Sequence, residues 1–261
     1  MIWLLRKHKR VGLCFFLFLC VFGIWQGMYY FSSSLPQLLI GRIHLSYLIV
    51  QVACIGVFVL FVRLSGTRFK EYGLEWPESY QRQISLGVLL VIIYYTITLF
   101  LPSFFSRTRD LGPPISFDML PLQFLSALLS GIASETVFRG YILREFTKAY
   151  SFLPALCLSS LLYSLHMLQL PLIFNLDIIY IYASIISPFI AGLFLGYFLR
   201  KTKNLLGPMV FQTTFLLFHS IIFFELDIPE YTMLTLEAIA YSFILLLTDA
   251  LAKESLYEIK W

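Results

Sequence analysis

The sequence predicts an all-α, polytopic membrane helix bundle of about eight transmembrane helices, forming a single domain over residues 1–261. Three observations carry this. First, 59% of the residues are hydrophobic and only 13% charged, with mean hydropathy +0.81, whereas soluble domains carry about 25% charged residues. Second, the apolar residues fall in runs near the ~20 needed to cross a bilayer as a helix. Third, Lys and Arg are plentiful in alternate connections and sparse in those between, the pattern that fixes membrane orientation.

The runs cover roughly 11–31, 45–64, 84–104, 121–143, 153–172, 177–199, 205–224 and 232–251. The first follows the basic cluster Arg6, Lys7, Lys9 and Arg10, as a secretory signal would. It is too long and aromatic for that and lacks a small-x-small cleavage site, so it reads as a retained signal-anchor helix. Between the second and third runs, Glu71-Tyr72-Gly73-Leu74-Glu75-Trp76-Pro77 reads as a turn with an interfacial Trp. Gly112-Pro113-Pro114 and Pro121 break the chain before the fourth run, which should begin as a helix at or after Pro121. The fifth and sixth runs are separated only by Pro171, Asn175 and Asp177.

Orientation follows from the connections. The second holds Arg63, Arg68, Lys70 and Arg82, the fourth Arg144 and Lys148, the sixth Arg200, Lys201 and Lys203, and the C-terminal tail Lys253 and Lys260. The first has Arg42, the third Arg107 and Arg109, the fifth no basic residue, and the seventh Glu225, Asp227 and Glu230. An even number of spans with both termini cytoplasmic fits this alternation. The net charge of +4 comes from these short loops, so nucleic acid is not an expected partner. Cys14, Cys20, Cys54 and Cys157 all lie in apolar runs and read as small buried hydrophobes, neither a disulfide framework nor a metal set. No cofactor is implied, and a metal is not indicated.

The informative residues are polar ones inside the runs, where a central charge costs ~2.5–3.5 kcal/mol on insertion scales and tends to pair, face the bundle interior and mark function. The stretch Ser134-Glu135-Thr136-Val137-Phe138-Arg139-Gly140 places a carboxylate and a guanidinium on one helical face, four residues apart. His166 follows in the fifth run, Gln212, Thr213, Thr214 and His219 in the seventh, Glu237 and Asp249 in the eighth. Glu237 and Asp249 lie near helix ends and read as interfacial. By helical rise, Glu135 and Gln212 lie roughly 11–12 Å from the cytoplasmic end of their spans, His166 and His219 near 20 Å. Helix tilt of about 20° would let all four meet in one cavity. The plainer alternative is a structural Glu–Arg pin with packed histidines.

The chemistry on offer is narrow. No Ser or Cys nucleophile motif, phosphate loop or His-Glu-x-x-His signature is present. A Glu in an apolar cavity is a suitable general base for water, with imidazole or amide groups to orient the water and hold an oxyanion. Amide hydrolysis within the membrane is the reaction this suggests.

Glu135-x-x-x-Arg139-Gly140 followed by Leu162-x-x-x-His166 resembles the CPBP family, the CAAX-processing and bacteriocin-processing (Abi) intramembrane proteases. The resemblance spans about 121–225. Phe138 to Leu143 is its most specific piece, and Glu71-Tyr72-Gly73-Leu74 looks like the family's cytoplasmic loop. It implies a helical membrane peptidase in which a Glu and a His activate water without an obligatory metal. Its partners would be a membrane-protein or peptide substrate and the lipid bilayer. Against the family pattern Glu-Glu-x-x-x-Arg, the first Glu is Ser134 here, the position usually given to the base. Leu162 stands for the Phe of the second motif. In the third, Gln212 stands for the His and Leu216 for the Asn or Asp, with His219 two turns on. The expected catalytic set is therefore Glu135 as base, His166 to orient water, Arg139 paired to Glu135, and Gln212 or His219 as oxyanion donor. Two alternatives stand beside it: a degenerate relative that binds a membrane partner through the same cavity, and a small transporter component.

Overall fold

The structure, a computed structural model, describes residues 2–33, 39–100, 102, 110–111, 120–168, 178–221, 224–225 and 230–252. Gly112-Pro113-Pro114, Arg107, Arg109, Pro171, Asn175, Asp177, Asp227, Lys253 and Lys260 lie outside the described residues, as do the side chains of Arg6, Lys7, Arg42, Glu225 and Glu230.

The described residues form eight main helices: α1 (Ile2–Ser33), α2 (Leu39–Leu64), α3 (Tyr80–Phe100), α4 (Leu120–Thr147), α5 (Phe152–Met167), α6 (Ile178–Thr202), α7 (Leu206–Ile221) and α8 (Glu230–Ala252). Each overlaps one apolar run of the sequence. A two-residue antiparallel ladder, Asp110 with Glu225 and Leu111 with Phe224, departs from all-helical structure. Among the described residues, four helical stretches are long and apolar enough to cross a membrane: His8–Gly27, Tyr47–Leu64, Tyr80–Phe100 and Leu120–Thr147. Phe16, Leu19, Ile49, Leu60, Leu153 and Leu246 point outward on the bundle surface. Apolar side chains on that scale suit a surface that faces lipid.

The helix ends follow local rules. Pro121 sits in the first turn of α4, where its missing N–H costs nothing; the helix starts one residue earlier than the sequence implied. Asn204 Oδ1 accepts from the Leu206 N–H at 2.8 Å and caps α7. Small residues then let helices approach closely. A Cβ on Gly131 of α4 would come within 2.3 Å of Thr213 Oγ1 on α7, and one on Gly192 of α6 within 2.8 Å of Ser160 Cβ on α5. Such contacts drive helix association in lipid, where apolar burial gives no advantage.

Two packed cores result. One joins α1, α2, the second half of α4 and α5 around Phe58, Phe138, Tyr141 and Phe146. The other joins α3, α6, α7 and α8 around Leu90, Phe194, Phe211 and Tyr241.

The basic connections gather at one end. The Arg144 guanidinium donates to the Glu71 carbonyl, the Asn204 amide to the Glu75 carbonyl, and the Leu205 N–H to the Gly73 carbonyl at 3.1 Å. Gly73 takes φ +80°, which its missing Cβ allows. Tyr72 is fully buried there, stacks on Tyr141 at 5.3 Å and donates to Glu145 at 3.2 Å. Burial pushes its phenol above the ordinary range, so it stays a neutral donor. The Asp110–Leu111 and Phe224–Glu225 ladder joins the third and seventh connections.

Candidate functional site

The centre of the molecule is set by a change of helix type. The α-helical part of α4 ends at Ser134, and Glu135–Leu143 continues as π-helix. The sequence suggested an unbroken α-helix here. π segments are rare and concentrate at functional sites, because their wider i→i+5 turn re-aims side chains. All nine residues of this segment are buried.

Between the helices lies a chamber of about 560 Å³. Its wall along α4 is Gln123, Ser126, Ala127, Ser130, Ala133, Ser134 and Phe138. Tyr163, His166 and Met167 come from α5, and Gln212, Phe215, Leu216, His219 and Ser220 from α7. Trp25 of α1, Gln51 of α2, Ser187 and Pro188 of α6 and Tyr241 of α8 complete much of the rest. Three of the sequence-derived site residues, His166, Gln212 and His219, therefore share one cavity.

Glu135 and Arg139 are not among its lining residues, which corrects the expectation that Glu135 faces the cavity. Glu135 is 0% exposed and Arg139 1%, with Oε1 and Nη1 3.0 Å apart. The contact is an ion pair without hydrogen-bond geometry, since both Glu135 oxygens lack a hydrogen-bond partner. The Arg139 guanidinium lies over the Tyr163 ring, 4.0 Å from its centroid, a favourable cation–π placement in a dry interior. Gln212 Nε2 donates to Tyr163 Oη at 3.1 Å. A chain of contacts thus runs from Glu135 through Arg139 and Tyr163 to Gln212, and its last two members line the chamber.

The position that does face the chamber is Ser134. Its hydroxyl donates back to the Ser130 carbonyl at 2.8 Å. Ser126, Ser130 and Ser134 recur every four residues on the chamber face of α4, a polar row legible in the sequence as an i, i+4, i+8 spacing but without any charge to mark it.

His166 is held between rings, 5.3 Å from Phe138 and 5.4 Å from Trp25, centroid to centroid. Its Nδ1 is buried without a hydrogen-bond partner. Gln26 Nε2 donates to the Leu168 carbonyl at 2.6 Å and ties α1 to the end of α5 beside it. His219 stacks against Phe215 at 6.3 Å.

Residues 116–218 match the family profile described as type II CAAX prenyl endopeptidase Rce1-like. This stretch is Rce1-like. No curated protein matches the chain. The Rce1-like stretch takes in α4, α5, α6 and most of α7, and so contributes Ser134, Glu135, His166 and Gln212; α1, α2, α3 and α8 lie outside it. The resemblance found in the sequence is to this same family.

Glu237 and Asp249 also find their places. Asp249 lies near the end of α8, accepts from Tyr197 Oη at 2.8 Å and pairs with Lys201. Glu237 departs from the interfacial reading: it is half-buried, with Ser187 and Tyr94 hydroxyls within hydrogen-bonding reach.

Proposed function

We propose that this integral membrane protein receives a segment of a membrane-associated peptide or protein in the chamber, as a relative of the CAAX endopeptidases, and that Glu135 does not act there as a hydrolytic base. The observation that carries this is the exchange of neighbours. Ser134 lines the chamber, while Glu135 lies behind it against Arg139. A general base must come within hydrogen-bonding reach of the proton it takes, directly or through one water. A serine hydroxyl already donating to its own helix is a poor substitute. Gln51, Gln123, Gln212, the row of serines and the tyrosines offer amide and hydroxyl partners to a polypeptide backbone that lipid cannot satisfy.

The test is a proteoliposome assay with two readouts. Photocrosslinkers at Ser126 and Leu216 should capture a prenylated or membrane-inserted reporter peptide, while one at outward-facing Leu153 should not. Cleavage of the reporter should be absent. Cleavage by the wild type that disappears in Glu135→Gln would overturn the proposal.

A second reading, hydrolysis with His166 as base, is favoured by the bare, buried Nδ1 of that residue. It predicts cleavage that survives Glu135→Gln and is lost in His166→Ala. Under either reading, both termini lie on the cytoplasmic side with the basic connections.

A further inference from the structure

We propose that Glu237, on α8 and outside the Rce1-like stretch, is the proton-binding carboxyl that serves the chamber. Glu237 lies two turns into α8, ~10 Å from its start by helical rise. Carboxyls at such depth are functional candidates by default because they are costly to keep there. Three observations tie it to the chamber. Ser187, within hydrogen-bonding reach of the Glu237 carboxyl, lines the chamber wall. Tyr94, the other hydroxyl in reach, packs its ring against that of Tyr241, 5.0 Å between centroids, and Tyr241 also lines the chamber. Glu237 Oε2 is itself buried with no hydrogen-bond partner, leaving an acceptor open. The carboxylate is thus one hydroxyl from the chamber through Ser187. A proton entering by that route is handed on by the hydroxyl as it takes up another, so one proton reaches Glu237 and no electrons move.

The groups around it are hydroxyls, with one imidazole further off. Tyr94 and Tyr95 face it from α3, Ser187 from α6 and Tyr241 from its own helix, with Tyr163 beyond Tyr241 and His219 across the chamber. Lys201 and Asp249 are ion-paired with each other, and Asp249 lies ~18 Å along α8 from Glu237 by helical rise. Pro188, next to Ser187, has no N–H to offer the Ser184 carbonyl one turn before it. This inference does not depend on the peptide reading.

Two measurements on the full chain in lipid nanodiscs test it. Infrared pH-difference spectra should show the carbonyl band of a protonated carboxyl that is lost in Glu237→Gln and displaced in Ser187→Ala and in Tyr94→Phe. A hydrophobic carbodiimide, followed by peptide mapping, should modify Glu237 more rapidly as pH falls, while a water-soluble carbodiimide should not. Alkylating Ser134→Cys with a bulky maleimide, in a background lacking the native cysteines, should slow that modification by filling the chamber. A band that persists in Glu237→Gln, a band indifferent to Ser187→Ala and Tyr94→Phe, or labelling unaffected by the filled chamber would each overturn the proposal.

Discussion

Ser134 and Glu135 are neighbours in sequence but not in environment: the serine lines the chamber, and the carboxylate is enclosed beside Arg139. The α-to-π change falls between them. The residues able to meet a chamber ligand and those that hold α4 together are therefore separated by one peptide bond.

Arg139→Ala should cost folded protein before it costs any activity. It would leave Glu135 as a buried charge without its counter-ion, which typically destabilises by about 3–5 kcal/mol. Thermal unfolding in detergent and membrane yield would show it. The double variant Glu135→Gln, Arg139→Met should recover most of the loss, because no uncompensated charge remains.

Gln212→Leu should be milder. The Tyr163 hydroxyl would lose its amide donor, and a buried polar group left short of a partner costs about 1–3 kcal/mol. A drop in melting temperature with unchanged membrane insertion is the expected result. An unaltered melting temperature would mean that water replaces the amide.

Gly131→Leu should force α4 from α7. Even a methyl group there would press within 2.3 Å of Thr213 Oγ1 and 3.0 Å of its backbone nitrogen. Overpacking of this kind costs about 1–3 kcal/mol, and backbone contact leaves little room to relax. Pairing Gly131→Ala with Thr213→Ala should regain part of the stability of Gly131→Ala alone. Failure of that rescue would point to the backbone contact as the dominant clash.

Lys148 and Lys203 should lie on the same side of the membrane. Their connections flank a cluster in which Tyr72, Glu145, Gly73 and Leu205 contact one another across the bundle end. Cysteines at both positions should react with an impermeant thiol reagent from the same side in oriented vesicles. Opposite accessibility would refute the topology.

The sequence by itself determined the class of the molecule, the eight helices and the pairing of Glu135 with Arg139. These depend on quantities local to the chain: hydropathy over ~20 residues, positive charge in short loops, and the near contact of side chains four residues apart on a helix. It also carried the convergence of His166, Gln212 and His219, because depth along a span can be counted in residues. Which way Glu135 faces was decided by tertiary structure alone. That direction depends on the α-to-π change at Glu135 and on the packing of Tyr163 over Arg139, and neither leaves a mark in hydrophobic periodicity. The same division holds for Glu237. Distance from a helix end says how deep a carboxyl lies, but only the neighbouring helices say whether hydroxyls such as those of Ser187 and Tyr94 stand beside it.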